Sequence, residues 1–339
     1  MLNKILKIFT LFFAVALLYN CNVIWYGIQQ GRGQLKIVRN AKHLDEFLGD
    51  ETYPDSLKYK IKLVKEIKQF AFDSLGINFT KNYSKMYNQE GKPGMYVVTA
   101  CEAFALKSYQ WKFPILGSFS YKGYFSKKKA FREADKLKKK GFDSDVGIVN
   151  AWSTLGWFKD PVMSSMLNKT PGQLARVLIH ELTHGTLFVK NDIQFNENLA
   201  SFIGDKGAIL FLIDKYGEGS RQVIAFNEEL SDFKNLRNHL LKGTQELKLF
   251  YESCKGDYSQ IKKRKKINSI LLTMDTLTLS NKNRVNRIIA NREKINNTFF
   301  TDFLMYREDQ KIIEDEFVNK FDSDFKKYFT YLKQKYPSL

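Results

Sequence analysis

The sequence predicts a helix-rich α+β fold, with a small sheet beside a motif-bearing helix and a helical C-terminal lobe after it. Three observations predict this. Stretches of β-type composition fall at 95–106, 115–125 and 145–151. A capped apolar helix carrying two histidines starts at Pro171. From residue 219 onward, helical periodicity dominates.

The elements follow in chain order. Residues 31–48 read as a helix with Leu35, Ile37, Val38 and Leu44 as its apolar positions. Residues 54–72 form a second amphipathic helix, with Leu57, Ile61, Val64 and Ile67 at helical spacing and lysines between them. The first two β-type stretches are followed by a basic helix over 126–140, and the third runs toward the block 153–161. Thr170, Pro171 and Gln173 then make an N-cap, a first-turn proline and a capping box. A polar turn at 190–192 leads into another helix over 196–216. With six prolines and no Ser/Gly linker, the chain reads as one domain over 21–339, divisible into an α+β lobe (21–190) and a helical lobe (191–339).

Residues 180–184 read His-Glu-Leu-Thr-His, and Glu197 follows within Asn-Glu-Asn-Leu-Ala. Positions i and i+4 share a helix face, so His180 and His184 converge on one metal ion. Glu197, returning from the first turn of the next helix, is the third ligand expected of a catalytic zinc site. Zn2+ is the expected cofactor. Glu181 is placed to act as general base on a water whose pKa zinc lowers to about 7. A structural zinc site is disfavoured, because such sites close with four protein ligands, usually including cysteine.

H-E-x-x-H followed by N-E-x-x-A resembles the gluzincin metallopeptidases, the thermolysin-like class, with a shorter spacer than thermolysin itself. More of the chain resembles a bacterial family described as predicted aminopeptidases, often lipoproteins. Gly33-Gln-Leu35, Trp111-Lys-Phe-Pro114, Tyr121-Lys-Gly-Tyr-Phe125 and 151–161 carry this resemblance, together with 178–200 and Asn296-Asn297. It implies a zincin-like fold and an aminopeptidase acting on peptide substrates. Tyr306 follows the Asn296-Asn297 block as a tyrosine does in the family, which makes it the implied oxyanion donor, with Tyr121 and Tyr124 as rivals. Asn297 either binds the substrate backbone or caps a helix. Ser153, Trp157 and Asp160 either shape the cleft or form a packed turn. An aminopeptidase also needs a carboxylate for the substrate's α-ammonium, for which Glu102 and Asp205 are candidates. In zincins an edge strand binds extended substrate, and 146–150 is the candidate here.

The N-terminus has the layout of a secretory signal: Lys4 and Lys7, an apolar run over 8–18, then Cys21. Residues 1–20 are expected to be removed and Cys21 lipidated, giving an exported, membrane-anchored lipoprotein facing the periplasm. An uncleaved anchor and a soluble secreted form are the alternatives. Cys101 and Cys254 pair as a disulfide or stand as independent thiols. The net charge of +18 fits an anionic membrane surface or simply solvated lysine faces. No nucleic-acid motif is present and none is expected as a partner; the oligomeric state is not legible. Two other functions stay open: a tethered binding lipoprotein without catalysis, and a zinc hydrolase of non-peptide substrates.

Overall fold

The computed structural model describes residues 21–113, 117–149, 159–190, 192–305 and 310–336. It is a helix-rich α+β fold. Helix α1 (Cys21–Asn40) leads into the short strand β1 (Lys42–His43), α2 (Leu44–Gly49) and α3 (Asp55–Ser74). Then come β2 (Lys85–Tyr87), β3 (Met95–Glu102), β4 (Trp111–Phe113), β5 (Gly117–Phe119) and β6 (Tyr121–Tyr124). Helix α4 (Lys127–Lys139), β7 (Phe142–Val149) and β8 (Val162–Met163) precede the motif helix α5 (Pro171–His184) and α6 (Ile193–Tyr216). Helices α7 (Arg221–Ser253), α8 (Gln260–Leu272), α9 (Asn283–Ala290), α10 (Asn297–Met305), α11 (Gln310–Phe321) and α12 (Phe325–Lys335) complete the chain.

The main sheet has the order β6-β3-β7 and is antiparallel throughout, with Thr99 opposite both Tyr121 and Asp145. Small residues bring α4 close to it: Ala130 and Ala134, with Leu137, pack on Val98, Ala100 and Tyr124. This sheet packs chiefly on α4 and α10, whereas α5 packs on α6 and α3. The body of this sheet thus packs on helices other than the motif helix. A smaller sheet, β1-β2-β8, is the one that feeds α5, through a 3-10 turn at Ser164–Asn168. Its strands are two or three residues long, too short to show an alternating pattern. The expected helix over 31–48 is likewise divided: α1 stops at Asn40, and Lys42–His43 pairs with Lys85 and Met86.

The largest hydrophobic cluster joins α3, α5 and α6 to α11 and α12, with Ile61, Leu178, Phe202, Phe317 and Tyr328 among its buried members. A second cluster holds Leu240, Leu247, Ile267, Leu271 and Phe300. Helix α7, 33 residues long, reaches both, contributing Val223 and Phe226 to the first and Leu236 to Tyr251 to the second. At 1.5 Å per residue it spans about 50 Å.

The run 262–266, conspicuous in sequence as five consecutive basic residues, is largely engaged within the fold. Lys262 pairs with Asp257 and Lys266 with Glu246, each at 2.7 Å, and Arg264 donates to the carbonyls of Arg292 and Ile295. Lys263 is 3% exposed and donates to Asp143 of β7 at 2.5 Å and to the Ala103 carbonyl at 2.7 Å. Replacing Lys263 by Met is expected to cost about 3–5 kcal/mol, because Asp143 is left enclosed without its cation. Denaturant unfolding measures this, and a loss below about 1 kcal/mol would mean that Asp143 reaches water.

Cys101 and Cys254 are both free thiols, so the disulfide alternative is not realised. Cys101 donates to the Ala105 carbonyl, and burial pushes its thiol up to about 12.

Candidate metal centre

Helix α5 starts as its sequence dictates. The Thr170 hydroxyl accepts from the Gln173 amide, and the Gln173 side chain accepts from the Thr170 amide, closing the capping box ahead of Pro171. One face of α5 buries Leu174, Leu178, Ile179 and Leu182 in the main cluster. His180, Glu181 and His184 lie at the boundary of that face, with His184 only 7% exposed.

Helix α6 is aimed by two local devices. Asp192 caps it, its carboxylate accepting from the Phe195 amide at 3.0 Å. Asn196 grips the preceding loop at both ends of its amide, accepting from Val189 N and donating to Val189 O, both at 2.8 Å. Glu197 follows directly and is thereby turned toward α5. Two glycines then let the helices close. A Cβ on Gly204 would lie 2.9 Å from the Arg176 carbonyl and 3.3 Å from the His180 Cβ. A Cβ on Gly207 would lie 2.8 Å from a Leu75 methyl.

The result is a triangle of donor atoms. His180 Nε2 and His184 Nε2 are 3.2 Å apart, and the Glu197 carboxylate faces both, with Oε2 3.5 Å from His180 Nε2 and Oε1 3.5 Å from His184 Nε2. Ligands at 2.0–2.1 Å from a tetrahedral zinc are separated by about 3.3–3.4 Å. The histidine pair is close to that separation, one carboxylate oxygen of Glu197 lies near it from each histidine, and the two-histidine, one-glutamate set is chemically suited to one zinc ion. His184 Nδ1, the nitrogen turned away from the site, is buried without a hydrogen-bond partner among the described residues, so packing rather than a neighbouring acceptor orients that ring.

Electrostatics sharpen the site. Burial opposes a charge on His180, but the Glu197 hydrogen bond and the charges of Glu181 and Glu197 outweigh it and hold its pKa up. Burial, with His180 adding repulsion, pushes His184 down to about 4, leaving a neutral imidazole fit for ligation. Burial would raise Glu197, yet its histidine partners hold it below the ordinary carboxylate range. Glu181 is pushed up to about 7 by burial, with Glu197 and Asp160 adding to the effect and His180 opposing it. A carboxyl near neutrality can take and return a proton.

The family model described as "Putative aminopeptidase" matches residues 25–336. The chain belongs to this family. No curated protein and no solved structure matches it.

The family member's other candidate residues divide. Tyr306, Ser153 and Trp157 lie outside the described residues. Cys21 is the first residue of α1. Asn297 is fully buried; its amide donates to the carbonyls of Glu102 and Ala103, and its Oδ1 accepts from Tyr251. Enclosed in this way, it offers substrate no open atom, so its place corrects the substrate-binding reading. Nor is it the helix cap, since Asn296 accepts from the Thr298 amide and fills that role. Asp205 is bridged to Arg176 at 2.6 Å and stands in the field of His180, so its charge is already met. Glu102 pairs with Lys107.

Of the described tyrosines, Tyr124 is packed against Tyr26 and hydrogen-bonded to Glu133. Tyr121 is 40% exposed, and its hydroxyl is raised first by burial and then by the Glu197 charge. The strand expected to bind substrate, 146–150, falls on the second half of β7, one edge of the sheet, with residue 150 outside the described residues. The opposite edge, β6, is the one that carries Tyr121 into the field of Glu197.

Sequence reading missed Tyr83. Its φ of 57° is a left-handed value that costs an aromatic residue about 1–3 kcal/mol. It is 2% exposed, its amide donates to the Asp160 carbonyl at 2.6 Å, and its hydroxyl has no partner among the described residues. The charges of Glu181 and Asp160, after burial, raise that hydroxyl. A lone tyrosine among seventeen gives no sequence signal. Asp160, flagged within the 151–161 block, proves to be 2% exposed and near Glu181.

Proposed function

We propose that this chain is a zinc-dependent peptide hydrolase of the gluzincin kind, working as an aminopeptidase. The convergence of His180, His184 and Glu197, each with a donor atom within 4.8 Å of the others and next to Glu181, carries the proposal. Those three residues would hold zinc. When bound, it supplies a water of lowered pKa and polarises the scissile carbonyl.

The chain's own residues do the rest. Glu181 takes the proton of the attacking water and delivers it to the departing amine, for which a pKa near 7 is suited. Tyr306 or Tyr121 donates to the oxyanion; Tyr121 has the support of its position in the Glu197 field. Tyr83, buried in the field of Glu181 with a hydroxyl that has no partner among the described residues, supplies a donor that the Glu181 carboxylate can take up during turnover. An extended peptide adds to the edge of the sheet at β6 or β7. Aminopeptidase specificity draws its support from the family, since Asp205 and Glu102, the carboxylates considered for the α-ammonium, are paired within the chain. We place the protein outside the cytoplasm, anchored through lipid on Cys21. Among the described residues no helix is long and apolar enough to cross a membrane.

Elemental analysis of the purified protein tests the centre. One zinc per chain is expected in the native protein, and none in His180→Ala. Folded native protein that takes up no zinc would refute the reading and favour a tethered binding protein. Tyr83→Phe should keep zinc and lower turnover by about 10–100-fold. Unaltered kinetics in that variant would reduce Tyr83 to a packing residue.

A further inference from the structure

Helix α1 has two faces of different character. Its inner face is committed to the fold. Tyr26 and Gln30 both donate to the Gly123 carbonyl, at 2.8 and 3.1 Å, and Tyr26 stacks on Phe113. Gly33 lies against the Phe125 ring, and Gln34 and Ile37 are buried. These contacts fix the rotation of the helix about its axis.

The outer face carries Trp25, Ile28, Arg32, Leu35, Lys36 and Arg39. At 100° per residue they fall within an arc of about 100°. Trp25 is 55% exposed, Ile28 44% and Leu35 37%. Leu35 was a core position in the sequence reading, and the structure places it outside. Helix α1 contains no acidic residue. Lys36 also borders a cavity of about 660 Å³ lined by Lys42, Lys92 and Lys127, in which Glu90 is paired with Lys92.

We infer that the outer face of α1 rests on an anionic lipid bilayer, with Trp25, Ile28 and Leu35 in the interfacial layer and the three cations among the headgroups. Interleaved apolar and basic side chains on one face suit that boundary, where long cationic stems lie along apolar groups and place their charge at the phosphates. Each cation near such a surface contributes attraction that a neutral bilayer lacks. The apolar run 8–18 lies just ahead of Cys21, the first residue of α1, so an anchored chain delivers this helix to the surface first. A second copy of the chain is a poor occupant, because a two-fold contact would set like charges against each other. The inference rests on the anchoring proposal and is independent of the peptidase chemistry.

The full chain, reconstituted into phosphatidylcholine vesicles with and without phosphatidylglycerol, tests it. Trp25 emission is taken as the difference between native protein and Trp25→Phe, with nitroxide-labelled lipids as quenchers. Shallow quenching of Trp25 is expected in anionic vesicles. It should be lost in Arg32→Glu/Lys36→Glu/Arg39→Glu while that variant still pellets with the vesicles. Pelleting of native protein without quenching would overturn the proposed face alone, leaving a flexible tether. Failure to pellet would overturn both the face and the anchor. Quenching that survives the triple variant would remove the charge argument and overturn the proposal. Concentration-dependent shielding of Trp25 without lipid would assign the face to a second copy instead.

Discussion

Replacing Glu181 by Gln is expected to leave one zinc per chain and to lower turnover by about 10²–10⁴-fold. The change is isosteric and the residue is not one of the three converging donors, so the triangle of His180, His184 and Glu197 should persist. What disappears is the ability to accept a proton. Glu181 is raised by burial, so neutralising it also relieves a desolvation cost, and the variant should be no less stable than the native protein. Zinc content, thermal unfolding and peptide hydrolysis measured on one preparation distinguish the possibilities. Full activity would remove Glu181 from the mechanism, whereas loss of zinc would show that it supports the metal directly.

Gly204→Ala should damage the centre more than Gly207→Ala, although both glycines lie on the face of α6 that meets α5. A methyl on Gly204 runs into a backbone carbonyl, that of Arg176, at 2.9 Å and into the base of His180. Neither yields without moving α5. A methyl on Gly207 meets the end of a Leu75 side chain, which can change rotamer, and more loosely Ile179. Opening the helix pair shifts Glu197 away from the histidines. We expect Gly204→Ala to lose about 1–3 kcal/mol of stability and about 10–100-fold in zinc affinity. Equal zinc affinities in the two variants would show that helix separation does not control ligand placement.

The motif residues were legible because their chemistry depends on local spacing. His180 and His184 are one helical turn apart, the Thr170–Gln173 cap fixes where that turn begins, and Glu197 follows a short loop. Helix α3 was legible from its apolar stripe and α4 as a basic helical stretch, each within one or two residues of where it lies. The illegible parts depend on distant pairing. Strands β2 and β8 hydrogen-bond across some seventy-five residues of chain without a pattern of their own. Asn297 was noticed as a polar residue in a family block, but its partners Glu102 and Ala103 are 195 and 194 residues away. Leu35 has the composition of a core residue, and only the rotation of α1, set by Gly123 on another element, shows that it faces outward. Tyr83 is noticeable only once its backbone angle and the nearby carboxylates are known.

The close sequence spacing of the metal donors has a bearing on the order in which the molecule forms. The α5–loop–α6 hairpin closes a short stretch of chain, and its entropic cost of closure is small compared with that of the sheet-to-α10 contacts held by Asn297. Local contacts of this kind assemble early. The donor triangle can therefore exist before the C-terminal helices have docked. A metal ion captured at that stage would hold α5 against α6 while Phe317, Phe325 and Tyr328 arrive to close the main cluster. On the proposed zinc reading, this topology would place metal uptake among the early events of folding, ahead of completion of the core.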